Sequence, residues 1–262
     1  MGEVTQYPPG HFCWIDLGST DVEAAKAFYG RLLGWEFADV PGGDPSATYT
    51  MCLRGSLDVA GMHGHADEEG SSWTSYVSVD DAESVTAKAM ELGGRVVVEP
   101  LDVPGASRMA VIADPAGTVV ALWQSKGYSG ARLVNEIGAW AWNELTTPDL
   151  DGAKAFYGEL FGWTATDLAI GIPRASFSLG DRLIGGAHEP SEGEPTTPRW
   201  TISFLVEDAD AGAAMVQELG GRVLMPVMEI PIGKFAVVAD PSGAAFTINA
   251  VPGGAFRGLD GS

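Results

Sequence analysis

The chain has 262 residues, 45% of them hydrophobic, and 35 acidic against 15 basic side chains leave a formal charge of −20. That charge opposes phosphate backbones and anionic lipid headgroups, and no apolar run approaches the roughly 20 residues of a membrane-spanning helix. Composition is that of a globular protein, with neither nucleic acid nor a membrane expected as partner.

The N-terminal MGEVTQYPPGH has no basic start and no apolar core, so export is not expected. Cys13 and Cys52 form neither a disulfide framework nor a zinc spacing, which fits a cytoplasmic location. Residues 11 to 17 have strand composition, and Asp21 is placed to cap a helix. Ala25, Phe28, Tyr29 and Leu32 then fall at i, i+3, i+4 and i+7, one apolar stripe on a helix ending at Gly34. The stripe and Trp35 read as core facing the helix's own sheet. Shorter strands are expected near 35–39, 48–53 and 57–62, between PGGDPS and RGS turns.

The same order restarts at once. Residues 73–79 read as a strand, Asp81 to Leu92 as a helix closed by Gly93 and Gly94, and 95–99, 108–113 and 118–123 as strands. Asp114-Pro115-Ala116-Gly117 is a tight turn. A break follows at 125–137, polar and without an apolar period. Residues 138–163 then repeat residues 10–35 without a gap, with 13 of 26 positions identical. ELGGRV at 91–96 returns at 218–223, and ADPAG at 113–117 returns as ADPSG at 239–243. A period this long means a duplicated domain. The reading is an α+β fold of four β-α-β-β-β modules in two domains, 1–127 and 133–262, each large enough for a core of its own.

These motifs carry a resemblance. A strand, D-x-x-x-A-x-x-F-Y-x-x-L-x-G-W, then S-V-D-D-A or V-E-D-A, E-L-G-G-x-V and A-D-P-x-G, in order and twice over, resemble the glyoxalase/bleomycin-resistance (vicinal oxygen chelate) superfamily across nearly the whole chain. The resemblance implies paired modules curling into open, cup-shaped mixed sheets that hold a small molecule. It also implies, for the superfamily's enzymes, a divalent metal at four columns. Three of those columns hold Trp14, Thr74 and Ala121 in the first copy and Trp142, Thr201 and Thr247 in the second. None of these six side chains is a good ligand. The fourth column holds His63 and His188, which also read as solvated or capping histidines at a strand end.

The expectation is therefore a cup without metal or other cofactor, a divalent metal being the alternative. Strand parity places Asp16 beside Trp14, Glu144 beside Trp142, Tyr76 beside Thr74, Trp123 beside Ala121, Ser203 beside Thr201 and Asn249 beside Thr247. In one reading the indoles form a stackable floor, and Asp16 or Glu144 orients a ligand or acts as a general base. In the other, indole and acid seal the sheet, the carboxylate bonded to backbone amides or to an arginine at the domain junction. The ligand set expected is Trp14, Asp16, His63, Thr74, Tyr76 and Trp123 in one cup, and Trp142, Glu144, His188, Thr201, Ser203 and Asn249 in the other. No phosphate-binding G-x-x-x-x-G-K-S/T loop and no G-x-S-x-G elbow occurs. Two functions remain. One is a binding or resistance-type protein for a small, partly aromatic or apolar molecule. The other is a glyoxalase-like lyase or isomerase, or a related oxygenase-type enzyme, using carboxylate or His acid–base groups or a non-standard metal site. A monomer or homodimer fits either.

Overall fold

The computed structural model describes residues 3–41, 48–65, 70–169 and 171–253. In chain order the first copy runs β1 (Phe12–Ser19), α1 (Val22–Leu33), β2 (Glu36–Pro41), β3 (Thr48–Arg54), β4 (Leu57–Gly64), β5 (Ser72–Ser78), α2 (Ala82–Glu91), β6 (Arg95–Val103), β7 (Ser107–Ala113) and β8 (Val119–Ser125). The second runs β9 (Trp140–Thr146), α3 (Leu150–Phe161), β10 (Thr164–Asp167), β11 (Arg174–Leu179), β12 (Arg182–His188), β13 (Arg199–Leu205), α4 (Ala209–Glu218), β14 (Arg222–Ile230), β15 (Gly233–Ala239) and β16 (Ala245–Ala250). No described helix is long and apolar enough to cross a membrane.

Each helix begins where the sequence supplies an aspartate. Asp21, Asp81, Asp149 and Asp208 accept from the backbone amide three residues on, satisfying a donor the first helical turn leaves free. Gly34 and Gly162 end the first helix of each copy in the left-handed conformation, at φ 70° and 77°. The strands form two eight-stranded mixed sheets of identical order, β2-β3-β4-β1-β5-β8-β7-β6 and β10-β11-β12-β9-β13-β16-β15-β14. Each module's opening strand thus lies at the sheet's middle.

One face of each sheet meets the helices. Cys13, Ile15 and Leu17 on β1, with Val77 and Leu122, are wholly buried there. The duplication suggested two separate cores, yet one continuous cluster spans both copies. The cause is visible in α1. Tyr29 stacks on Trp35 at 5.5 Å and meets Trp73 of its own sheet, but also Phe204 and Phe246 of the other copy. Its hydroxyl accepts from Trp73 Nε1 and donates to Asp240 Oδ2, both at 3.1 Å. Tyr157 of α3 repeats this with Trp200 and Asp114. Thus Asp114 and Asp240, read as turn residues, also anchor the opposite copy. Trp35 and Trp163 are core as expected, and their indole N–H groups cross the junction to the carbonyls of Gly138 and Gly10.

The break between the copies is no loose spacer. β1 pairs with β4 only from Asp16 to Ser19, and its register shifts between Phe12 and Trp14. Into the wedge left open runs the linker, whose Ala131 amide donates to Cys13 O at 2.8 Å, and Arg132 and Leu133 to Asp58 O at 2.7 and 3.2 Å. Gly130, at φ 128°, lies so close that a Cβ would overlap Cys13 O. Composition reads as polar here because the segment is held by its backbone rather than by an apolar stripe.

Candidate functional site

The cups are the sheet faces opposite the helices, and the same three side chains meet at the centre of each. In the first, Asp16 pairs in register with Gly61 on β4 and with Thr74 on β5, and His63 pairs with Gly18. In the second, Glu144 pairs with Gly186 and Thr201, and His188 with Thr146. The glycine opposite each carboxylate makes the room: a Cβ at Gly61 would overlap Tyr49 Oη, and one at Gly186 would overlap Glu144 Oε2.

Asp16 Oδ2 accepts from Tyr76 Oη at 3.0 Å and Tyr49 Oη at 3.3 Å, and His63 Nδ1 lies 3.5 Å away. Trp14 Nε1 donates to Tyr49 Oη at 2.9 Å. The other oxygen, Asp16 Oδ1, is buried with no hydrogen-bond partner. Burial, and then the Asp16 charge, push both phenols well above the usual tyrosine range, so they remain neutral donors. The hydrogen bond to Asp16 raises the His63 imidazole, against the opposing effect of burial.

In the second cup Glu144 accepts from Trp142 Nε1 through Oε2 at 2.8 Å and meets His188 Nδ1 through Oε1 at 2.9 Å. The opposite ring nitrogen, Nε2, faces Glu194 Oε1 at 3.3 Å. Glu194 comes from the loop joining β12 to β13. It is held by Arg199 at 2.9 Å, by Thr146 Oγ1, and by the Ser191 amide and hydroxyl. Partial burial works against its ionisation, but the Ser191 amide and the adjacent His188 and Arg199 keep its carboxyl below the usual range. Arg174, on β11 beside His188, lies 3.7 Å from Glu144 Oε1, and its Nε is buried without a partner.

Each cup therefore joins Trp, carboxylate and histidine. Neither carboxylate is tied to backbone amides or to an arginine at the domain junction. His188 is 8% exposed and so is no solvated strand end, whereas the His63 side chain leans on Asp16 but stays 42% exposed near the end of β4. The cups differ in cover. β1 is buried at all eight positions, whereas β9 leaves Trp142 and Glu144 partly exposed. An open indole floor is thus not what the first cup presents. Trp14 is 2% exposed beneath Tyr128 of the linker, whose ring meets it edge-on at 5.5 Å. Trp123 packs against Tyr76 at 5.7 Å and donates to Tyr128 O. Ser203 and Asn249 are buried, while Thr74 and Thr201 are partly exposed.

Tyr49, Tyr128, Arg174, Glu194 and Arg199 escaped sequence reasoning. The signal available was the match of Gly61-Met62-His63 to Gly186-Ala187-His188, which marks the strand whose outer neighbour carries Tyr49 or Arg174.

The profile of the glyoxalase/bleomycin resistance protein/dioxygenase superfamily matches residues 10–122 and again 139–248. CFP32 of Mycobacterium tuberculosis, provisionally named a glyoxylase, is 39% identical over 258 residues, 95% of this chain and 97% of its own. The anthracycline biosynthesis protein DnrV of Streptomyces peucetius is 34% identical over 94% of each chain. Among solved structures, the Mn(II)-bound glyoxalase of Novosphingobium aromaticivorans superposes with a TM-score of 0.65 at 14% identity, over 96% of this chain and 84% of that one. The 2,3-dioxygenase LapB of Pseudomonas sp. KL28 gives 0.62 at 16%, over 95% and 93%. At such identities the likeness is one of fold.

Proposed function

Because this chain belongs to the glyoxalase/bleomycin resistance protein/dioxygenase superfamily, we propose that it binds a small, partly aromatic or apolar organic molecule at the carboxylate–imidazole pair of a cup, without a divalent ion, as a binding or resistance-type protein. The observation that carries this reading is the recurrence of Trp, carboxylate and histidine at one register in both copies, with Thr74 and Thr201 opposite the carboxylates and Ala121 and Thr247 one strand further on.

The donors do not fit a chelated ion. Among the described residues no three His, Cys, Asp or Glu side chains group to hold one. Both ring nitrogens of His188 face carboxylate oxygens, Nδ1 toward Glu144 and Nε2 toward Glu194, so neither is aimed at open space where an ion would sit. Asp16 Oδ2 is crowded by two phenols and an imidazole. Relatives named for anthracycline biosynthesis make an aromatic ligand the natural candidate.

A second reading, a lyase or isomerase, is favoured by the setting of His188. An imidazole held between two carboxylates is equipped to pass a proton from one to the other, leaving the partly exposed Glu144 to exchange it with a bound molecule. The test incubates chelator-treated protein with Mn(II), Ni(II), Zn(II) or Fe(II), dialyses it, measures retained metal, and follows melting with anthracyclines and a metabolite library. Stabilisation by an organic ligand with substoichiometric metal supports binding without an ion. A full equivalent of retained metal that the ligand shift requires overturns it, and turnover of the ligand without metal moves the assignment to the enzyme.

A further inference from the structure

Resting on that reading, we propose that the second cup alone takes the ligand. We propose also that Arg174 and Glu144 select an uncharged aromatic molecule with a carbonyl oxygen and a hydroxyl on one edge, an aromatic hydroxy-ketone or hydroxyquinone.

The two cups serve as templates for each other. In the first, the protein provides the aromatic rings and hydroxyls itself. Tyr49 and Tyr76 both donate to Asp16, and Tyr128 closes over the indole of Trp14 with Trp123 packed against Tyr128 and Tyr76. With Trp14 at 2% exposure and Asp16 at 4%, neither the indole face nor the carboxylate is open to another molecule, and the unpaired Asp16 Oδ1 lies sealed beneath this cover. At the matching register the second cup has Arg174 for Tyr49, Ser203 for Tyr76 and Asn249 for Trp123. Two phenols and an indole have thus been replaced by one cation and two small polar groups, and the carboxylate at the centre stays partly open to solvent.

The polar groups of the second cup state what would complete it. Arg174 Nε is a donor without an acceptor, an expensive condition, and the side chain is 39% exposed, so the guanidinium can turn an N–H to a ligand carbonyl oxygen. Its guanidinium lies 3.7 Å from Glu144 Oε1, so the two charges offset each other and the site calls for no net charge on its guest. Glu144 is acceptor-only, has lone pairs beyond those facing Trp142 and His188, and occupies the place where Asp16 receives phenolic hydroxyls. A molecule offering one acceptor and one donor on the same aromatic edge meets both groups.

The test is a calorimetric titration of the full chain with 1,4-dihydroxyanthraquinone and its dimethyl ether, repeated on Arg174→Met, Glu144→Gln and Ser203→Tyr. The expected result is one equivalent per chain, with the ether and the Arg174 and Glu144 variants each weaker by about tenfold, the loss of one good hydrogen bond to a charged group. Ser203→Tyr restores the ring of the first cup and abolishes binding, its thermal melt certifying that it folds. Two equivalents per chain overturn the restriction to one cup, as does undiminished binding by folded Ser203→Tyr. Equal affinity for the ether, or no loss in Arg174→Met, overturns the selection of a hydroxy-carbonyl edge while leaving ligand binding intact. Failure of both compounds to bind overturns this inference, and the underlying reading falls with it only if the library of the melting screen also yields no stabilising organic ligand.

Discussion

Tyr29→Phe isolates the bond that joins the two copies. The ring remains, so its stacking on Trp35 is kept, and only the hydroxyl is lost. That oxygen accepts from Trp73 Nε1 and donates to Asp240 Oδ2, and Tyr29, Trp73 and Asp240 are 0%, 9% and 1% exposed. An orphaned indole N–H costs about 1–3 kcal/mol, and a lost hydrogen bond to a charged group about 1.5–3 kcal/mol. Asp240 Oδ1 keeps its amides from Ser242 and Ala244, which limits the second cost. The net expectation is about 3 kcal/mol, or a fall in Tm of roughly 6–12 °C for a chain of this size. Calorimetry should show one cooperative transition in both proteins, since the core is continuous. Tyr157→Phe should cost a similar amount, and the double variant should be close to the sum because the sites are separate. A fall below about 2 °C, or two resolved transitions in the parent protein, would refute the interlocked junction.

Three further outcomes follow from named contacts. His63, raised by Asp16, should titrate above an ordinary histidine by NMR, and Asp16→Asn should bring it down; its stabilising effect is full below about pH 6.5 and fades as pH rises through the folded value, and it is small because the side chain is 42% exposed. No change on Asp16→Asn would remove the pair. Gly130→Ala, with left-handed φ and a Cβ overlapping Cys13 O, should lower stability by about 2 kcal/mol or more in denaturant unfolding, whereas Gly105→Ala, equally left-handed but with open space around it, should cost about 1. Equal costs would mean that the linker is not held against β1. Gly186→Ala should displace the Glu144 carboxylate and weaken ligand binding with little loss of Tm, and retained affinity would argue against a role for Glu144.

Much of the fold was open to reading because local chemistry and global structure agree. Aspartates capped each helix, glycines ended α1 and α3, and the F-Y stripe was buried. Periodicity tells which face is buried but not what covers it. Hence Phe28 and Tyr29 were legible as core, while their contacts with Phe246 and Asp240 of the other copy were not. The same limit applied in the cups. Parity placed Trp14, Asp16 and Tyr76 on one face, since neighbouring residues decide that. Tyr49 and Arg174 arrive from outer strands by register, Glu194 by a loop turn, and Tyr128 by a linker fixed through backbone bonds, all non-local facts.

The most direct examination of the central idea is a crystal structure of the chain grown with an aromatic hydroxy-ketone and excess Mn(II). The expected result is ligand density against Glu144, His188 and Arg174 with no ion beside it. An ordered cation held there by three or more protein atoms would contradict it.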